Sequence, residues 1–337
     1  MTVNVRTFLV VLILSMAASA GELEEGLRKA AGTGNTMLAK ALLDAGASLD
    51  AKDQNGKTAL ELSAAGGHTE TVRLLLGRLP AAESRERAMV AGARAGYLDT
   101  VEVLLETEIA EAAKQIALAE AIESNHLDLA RLLLWTGMNP DHGPKGTPYL
   151  FTAAVANNGE LIELLLMSGA GINQRNQEGR TALWGAVVTG NAEAAQTLLS
   201  FGADPNTADE EGNQALVAAL VRGRTEVGRM LLASGADPNA RNKGGETPLI
   251  LAAAAGRAAS MRLVLSFGAR VDERDRQGYT ALMHAVSQGR SDLVRLLLDW
   301  KANPSLRTPD GLSTLNMAIG RRHPKVVDLL RQAGAQP

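Results

Sequence analysis

The chain of 337 residues contains no cysteine and few aromatic residues. Without thiolates it can form no cysteine nucleophile, no zinc-thiolate site and no iron-sulfur cluster. Aromatic residues make up 3% of the chain, so aliphatic side chains must fill most of any interior. Apolar residues reach 46%, and 34 Lys and Arg nearly balance 37 Asp and Glu. This composition is that of a globular protein and excludes disordered and collagen-like chains.

A short apolar run stands near the amino terminus. Residues 8–14 are all apolar, Arg6 precedes them, and Ala18-Ser19-Ala20 follows. A basic start, a short apolar core and a small-x-small site predict a secretory signal peptide over residues 1–20, cleaved after Ala20. The run is too short for a membrane anchor, which needs about 20 apolar residues. We therefore expect the mature chain, residues 21–337, to be a periplasmic protein.

Glycine recurs at a fixed interval of 33 residues through the second half of the sequence. The positions are Gly146, Gly179, Gly212, Gly245, Gly278 and Gly311. A leucine column keeps the same interval at Leu150, Leu183, Leu216, Leu249, Leu282 and Leu315. Such a period predicts a solenoid, in which each unit buries its apolar face only against its neighbours. Each unit has the pattern of a turn, a helix, a turn and a second helix, followed by an exposed hairpin that we call the finger.

These units resemble ankyrin repeats. The family opens its first helix close to Thr-Pro-Leu-His, and Thr247-Pro248-Leu249 matches this motif. Its tail is close to Leu-Leu-x-x-Gly-Ala-Asp-x-Asn, which residues 231–239 match. The resemblance covers nearly all of residues 21–337, in about ten units. It implies an all-α repeat solenoid of helix-turn-helix units with β-hairpin fingers, in which fingers and first helices line a concave face where partners dock.

Two units depart from the period. The helix-turn positions Gly67, Gly96 and Asn125 are 29 residues apart, and the segments 80–83 and 107–110 lack a Gly-x-Thr opening. We expect their fingers to be missing, either through drift in a tolerant segment or to leave a gap that admits part of a partner. We predict one array, with irregular repeats over 21–145 and regular repeats with a C-terminal cap over 146–337.

Groups that could carry catalysis or bind a metal are few. No two of the five histidines have the spacing of three or four residues that would place a metal-binding pair on one helix. The sequence offers His284 no oriented partner, which a general base would need. It contains no nucleophile elbow, phosphate loop or dinucleotide motif. We therefore predict no enzymatic activity, no cofactor and no metal site.

Charge is distributed unevenly along the chain. Basic and acidic residues number 13 and 19 over 21–145, 2 and 8 over 146–220, and 18 and 10 over 221–337. The basic last third could steer an acidic partner. Arg241, Arg274 and Arg307 share one column beside three fingers, and we predict a ladder of positive charge there. Basic residues at this column are also common in ankyrin repeats, so a structural role stays open.

Partner-binding residues are expected on the fingers and first helices, since interface energy concentrates in Trp, Tyr and Arg. The candidates are Arg180, Trp184, Arg241, Lys243, Arg274, Arg276, Tyr279 and Arg307. Trp184 stands where the family motif prefers His, so filling the base of a finger is an equal alternative for it. Three other aromatic residues, Phe201, Phe267 and Trp300, end second helices, where we expect them to pack against the next unit.

The sequence therefore indicates a non-enzymatic periplasmic module that binds another protein, one with an acidic patch, on its concave face. Its role would be that of an inhibitor or immunity protein of an envelope-acting toxin enzyme. One alternative is an accessory scaffold for a periplasmic enzyme, such as one of oxidative-stress defence. Another is binding to envelope lipid or polysaccharide through the basic segment 221–337, while nucleic acid is excluded as a partner by export and by the net charge.

Overall fold

A computed structural model describes residues 19–141, 143 and 146–337, so most of the predicted signal peptide lies outside the described residues. The chain divides between residues 142 and 143 into two compact units. The first unit contains α1 (Ala20–Gly32), α2 (Thr36–Asp44), α3 (Ala59–Ala65), α4 (Thr69–Leu76), α5 (Ala82–Ala95), α6 (Leu98–Leu105), α7 (Glu111–Glu123) and α8 (Leu127–Trp135). No helix among the described residues is long and apolar enough to cross a membrane.

The described residues of the second unit form twelve α-helices. They are α9 (Tyr149–Val155), α10 (Gly159–Met167), α11 (Ala182–Thr189), α12 (Ala192–Ser200), α13 (Ala215–Val221), α14 (Thr225–Ala233), α15 (Pro248–Ala254), α16 (Ala258–Ser266), α17 (Ala281–Ser287), α18 (Ser291–Asp299), α19 (Thr314–Gly320) and α20 (Pro324–Gln332). Strand pairing among the described residues is limited to three isolated bridges, which close the fingers at Ala208–Gln214, Arg274–Thr280 and Arg307–Ser313. The predicted all-α repeat solenoid is confirmed.

Each of the two compact units is a stack of repeats that forms two layers of helices. First helices, which carry odd numbers, pack on the next first helix, and second helices pack on the next second helix. The leucine column from Leu150 to Leu315 is at most 3% exposed throughout. Small residues of the first helices, among them Ala186, Ala219 and Ala252, are fully buried and allow this close approach. The leucine column predicted from the sequence and this column of small residues therefore lie in the core.

A hydroxyl group caps the first helix of each regular repeat except those at α9 and α13. Thr181 accepts a hydrogen bond from the backbone N–H of Trp184, and Thr247 and Thr280 accept the same bond three residues ahead. Ser313 does so in the last repeat at 3.1 Å. These bonds satisfy backbone donors that a helix leaves free at its start, as the Thr positions predict.

The turns between paired helices include the predicted positions Gly67, Gly96 and Asn125. In all ten, the turn residue has a positive φ, with Gly34 as the first. Three turn residues are not glycine, namely Asn125, Asn157 and Arg322, with φ between 55° and 59°. Asparagine tolerates this left-handed conformation better than most residues, whereas arginine adopts it under strain.

The two short repeats contain no finger. In their place α5 and α7 have 14 and 13 residues, whereas α3 has 7. The expected loss of these fingers is thus observed, and the residues form extra helix instead. The division after residue 142 lies close to the predicted change from irregular to regular repeats at 145, while the continuity of one array stays a prediction.

Candidate functional site

The fingers of the second unit are held in shape by a side chain at their first position. Asn242 Oδ1 accepts the N–H groups of Gly244 and Glu246, both at 2.9 Å. Asp275 Oδ1 accepts those of Gln277 and Tyr279 at 2.9 and 2.8 Å. A short side chain that accepts two backbone donors stabilises a tight turn. The finger tips are therefore fixed before any partner arrives.

The predicted arginine ladder joins successive fingers. Arg241 Nη1 donates to the carbonyl oxygen of Gly245 in its own finger and to that of Arg274 in the next, at 3.0 and 2.7 Å. Arg274 repeats this pattern with Gly278 and Arg307, at 3.4 and 3.0 Å. Arg241 also forms an ion pair with Glu273. The guanidinium donors are used within the fold, which is the structural role left open for this column.

The ends of the ladder extend this pattern. Arg307 donates to the carbonyl oxygens of Gly311 and Pro337. Arg175, which the sequence analysis missed, donates through Nε to Gly179 at 2.9 Å. Arg175 lies two periods before Arg241, and Ala208 occupies the position between them. Because Ala208 interrupts the column, Arg175 was not predicted as a member, although the 33-residue spacing includes its position.

Lys243 and Arg276 differ from the ladder arginines. Both side chains are exposed, and neither forms a hydrogen bond or ion pair with any other described residue. Their backbone N–H groups bind the preceding finger, through Glu211 O at 3.0 Å and Gly244 O at 2.9 Å. The backbone of Lys243 and Arg276 is thus held in place while their charged groups have no side-chain partner. They are therefore better candidates than the ladder arginines for contact with an acidic partner.

The candidates Arg180 and Trp184 contact each other. The Arg180 guanidinium carbon lies 4.0 Å from the centre of the Trp184 ring, within the range of a cation–π contact. Arg180 is also paired with Glu178, and Trp184 is half-buried at the start of α11. Trp184 therefore lies under a finger residue, and only part of its ring reaches solvent.

Tyr279 lies beside a histidine that does have an oriented partner. His284 Nε2 lies 2.9 Å from Asp275 Oδ2, and the Tyr279 ring centre is 5.7 Å from that of His284. The sequence offered His284 no such partner, because Asp275 is brought back to α17 only when the finger folds. The other oxygen of Asp275 already binds two backbone donors, so this pair ties the finger to its helix.

A groove opens in the first unit over α3, α5 and α7, where the two fingers are missing. It has a volume of about 460 Å³, and its floor is formed by small or aliphatic side chains. The floor residues are Ala65, Val90, Ala91, Ala112, Ala113 and Ile116. Ile116 is 52% exposed, which is unusual for an isoleucine in the middle of a helix. The rim carries Lys57 and Glu86, and neither side chain forms a hydrogen bond or a salt bridge among the described residues.

Two ion pairs shape the ends of this groove. Arg87 binds Glu61, whose side chain is 5% exposed and also accepts the Thr58 N–H at 3.1 Å. Arg94 binds both carboxylate oxygens of Glu120, at 2.8 and 2.6 Å. The hydrogen bond from Arg94, helped by its charge, lowers the pKa of Glu120. These groups are neutralised by each other, so an occupant would meet the apolar floor, Lys57 and Glu86.

The described residues hold no group of three or more His, Cys, Asp or Glu that could bind a metal ion. The geometry instead offers two surfaces that suit another macromolecule. One is the groove of the first unit, and the other is the row of fingers in the second. Sequence reasoning found the fingers, and it found the gap but not the apolar floor that the gap uncovers.

Comparisons with known proteins agree with this architecture. The model "Ankyrin repeats (3 copies)" matches residues 10–86, 27–116, 150–242 and 237–308. An ankyrin repeat domain from Acinetobacter baumannii AYE, solved by crystallography, is 34% identical with a TM-score of 0.53. That match covers 56% of this chain and 98% of the other.

No curated protein matches the chain, whereas 546 solved chains match its fold. A fold shared so widely does not single out a partner or a pathway. Ankyrin repeats generally act as non-enzymatic modules that bind other proteins. The family matches span well over half of the sequence, and the chain belongs to the ankyrin-repeat family.

Proposed function

We propose that the chain is an exported, periplasmic and non-enzymatic module that binds another protein through its first helices and fingers. The observation that carries this proposal is the groove over α3, α5 and α7, an uncovered apolar floor of about 460 Å³ in the first unit. Concave apolar surfaces with a few polar groups at the rim are typical binding sites. The alanines of the floor would allow the backbone of a partner segment to approach closely.

The fingers of the second unit would supply the electrostatic part of recognition. Their backbone is fixed by bonds within and between fingers, so little conformational entropy is lost on docking. Lys243 and Arg276 would attract an acidic patch and raise the rate of association. Arg241, Arg274 and Arg307 would add to the same field while their donors hold the fingers together.

The test is affinity capture of soluble envelope proteins on the immobilised mature chain, residues 21–337. Two variants probe the two surfaces. Ile116→Glu places a charge on the groove floor, and Lys243→Glu with Arg276→Glu reverses the free finger cations. All three residues are at least half exposed or lie on finger tips, so these changes spare the core.

Each variant has a matched control. Met37→Glu places the same new charge on α2, a second helix of the first unit, at a side chain that is 65% exposed. Arg229→Glu with Arg262→Glu changes the net charge as much as the finger variant does, at exposed residues of the second helices α14 and α16. We expect one protein to bind the unmodified chain and both controls in near-equal amounts. Its capture should be lost with at least one of the two test variants, Ile116→Glu or the finger variant. Capture that all four variants leave unchanged would disprove the proposed face.

The role of the module follows from the partner's own activity. Stoichiometric loss of a captured enzyme's activity when the chain is added would support the inhibitor or immunity role. Unchanged or increased activity, with slower inactivation under oxidative stress, would support the accessory-scaffold role instead. The Ile116→Glu variant serves as the negative control for both measurements.

A further inference from the structure

The excess positive charge of the last third of the chain lies mainly on turns and second helices. The segments 221–233, 254–266, 287–299 and 320–332 each run from the last residue of a first helix to the end of the following second helix. Together they carry 11 basic and 4 acidic residues, whereas the rest of 221–337, with the fingers and first helices, carries 7 and 6. The four acids are Glu226, Asp292, Asp299 and Asp328.

One row of these cations lies in the turns between paired helices. It consists of Arg222, Arg224, Arg257, Arg290, Arg321 and Arg322. Arg224, Arg257 and Arg321 each donate to a backbone carbonyl oxygen of the preceding repeat, at 3.1, 2.9 and 3.1 Å. A carbonyl partner orients the guanidinium group without neutralising its charge. Arg290 is the one turn arginine that forms an ion pair among the described residues, with Asp292.

A second row runs beside the turns on the second helices. Arg229, Arg262 and Arg295 are the fifth residues of α14, α16 and α18, and all three are exposed. Equal positions in a stack of repeats lie along one line, here at the spacing of packed helices, about 8–10 Å. None of the three side chains forms a hydrogen bond or ion pair with another described residue. We call the six turn arginines, these three and Lys325 the turn face.

The last turn concentrates this charge at a strained residue. Arg322 has a φ of 59° at the position where the other nine turns have glycine or asparagine. Strained residues persist most often where function requires them. Arg322 adjoins Arg321 and lies close in sequence to Lys325, and none of the three forms an ion pair among the described residues.

Large exposed apolar side chains are absent from the turn face. Those of residues 221–337 are Phe267, Trp300, Leu312 and Ile319, which lie outside the four segments. Phe201, Phe267 and Trp300 are 43%, 37% and 43% exposed, so the predicted packing against the next repeat covers them only in part. A protein interface needs apolar or aromatic anchors at its centre, and a helix at a bilayer surface inserts an apolar face. The turn face instead suits a hydrophilic polyanion that is bound through charge.

We propose that the turn face binds a linear acidic polysaccharide with one carboxylate group in every two sugars. Charges recur about every 3.3–3.4 Å along an extended acidic polypeptide or a nucleic acid strand. Alternate sugars of a polysaccharide recur at nearly the wider spacing of stacked repeats, so each carboxylate could meet one repeat's arginines in a bidentate pair. The turns lie at the other end of the first helices from the fingers, which leaves the fingers free for a protein partner.

The experiment measures binding of the mature chain to immobilised hyaluronan, which has one carboxylate in each disaccharide, by biolayer interferometry. Dextran is the neutral control, and poly-glutamate is the control for negative charge without sugar. We expect hyaluronan to bind at about 50 mM salt and about tenfold more weakly at about 500 mM, since exposed charges are screened. Dextran should not bind, and poly-glutamate should bind more weakly. Binding of poly-glutamate as tight as that of hyaluronan, or none of hyaluronan, would overturn the proposal.

Two variants with the same change in net charge decide where the polymer lies. Arg229→Glu with Arg262→Glu should weaken hyaluronan binding about tenfold or more, because the reversed charges repel the carboxylates. Lys243→Glu with Arg276→Glu, on the fingers, should change it less than about twofold. Equal losses with both variants would contradict the turn face. Test and control are exchanged relative to the protein capture, so this proposal and the proposed function can fail separately.

Arg322→Gly separates binding from stability. Glycine adopts a positive φ without strain, so the urea midpoint should stay unchanged or rise. Loss of an exposed cation should weaken hyaluronan binding about twofold to threefold. Unchanged binding would count against the proposal, because the most concentrated charge of the turn face would then make no contact.

Discussion

The two units pack their helices in the same way, but the repeats of the second unit are regular in length and those of the first are not. In the second unit a finger precedes each of the first helices α11, α13, α15, α17 and α19, and Arg241 and Arg274 bind one finger to the next through backbone carbonyls. In the first unit two fingers are missing, and two long first helices line an open groove. The last three fingers of the regular unit are thus linked to one another by equivalent arginines, whereas the irregular unit exposes apolar surface that binding could cover. Regularity stabilises the fold, and under the proposed function its interruption provides the binding surface.

The largest expected effect tests whether the two units are independent. Leu216→Ala removes most of a fully buried side chain from the core of the second unit and should cost about 2–5 kcal/mol. In repeat proteins, destabilisation spreads mainly to neighbouring repeats. Hydrogen exchange followed by mass spectrometry should show faster exchange within residues 146–337 and no change within residues 20–141. Equal loss of protection in both would mean that the chain unfolds as one body.

A second prediction concerns the ion pair of the first unit between the buried Glu61 and the partly exposed Arg87. Arg87→Ala leaves Glu61, a residue that is 4% exposed as a whole, without its cation. The change should lower the free energy of unfolding by about 1–3 kcal/mol. Adding Glu61→Gln should restore part of the loss, because the uncompensated buried charge is then gone. Urea denaturation of both variants measures this. A double variant less stable than Arg87→Ala alone would contradict it.

The third prediction tests the links between fingers. Arg241→Ala removes bonds to two carbonyl oxygens and an ion pair, and we expect a loss of about 1–2 kcal/mol, since the side chain is partly exposed. Lys243→Ala, two residues away and without partners, should change stability by less than about 0.5 kcal/mol. Denaturation midpoints compare the two. Similar losses of stability for both variants would show that the bonds of the arginine column do not stabilise the fingers.

The smallest effect is the pH dependence of the Arg94–Glu120 pair. Because Arg94 lowers the pKa of Glu120 in the folded state, the pair stabilises the chain above the ordinary carboxyl pKa. That contribution is lost as pH falls through the lowered value. Glu120→Gln should therefore cost about 0.2–1 kcal/mol at pH 7 and nothing in strong acid. A difference in unfolding free energy that does not change with pH would refute this origin.

The sequence was sufficient for the fold because its signals repeat. The leucine column from Leu150 to Leu315 and the 33-residue glycine column each predict one feature many times over, and the structure agrees with them. The candidate site was harder to predict. The Arg241 column gave its position but not its partners, because backbone carbonyls of the next finger have no sequence signal.

Two other features depended on folding itself. Asp275 meets His284 only because the finger turns back onto α17. The groove floor exists because α5 and α7 begin early, which places Ile116 at an exposed position of a long helix. A missing motif predicted the absence of a finger, but nothing in the residues 80–83 or 107–110 indicates what surface that absence uncovers.

The exchange of a finger for extra helix has a consequence for how such chains change in length. The short repeats lose residues at one place, between a second helix and the following first helix, and the first helices of the unit still pack on one another in sequence. Insertions and deletions at this junction are absorbed locally, without disturbing the buried columns. The junction is therefore where an ancestral gene could have gained or lost codons most freely, and where a designed loop could be grafted with least disturbance.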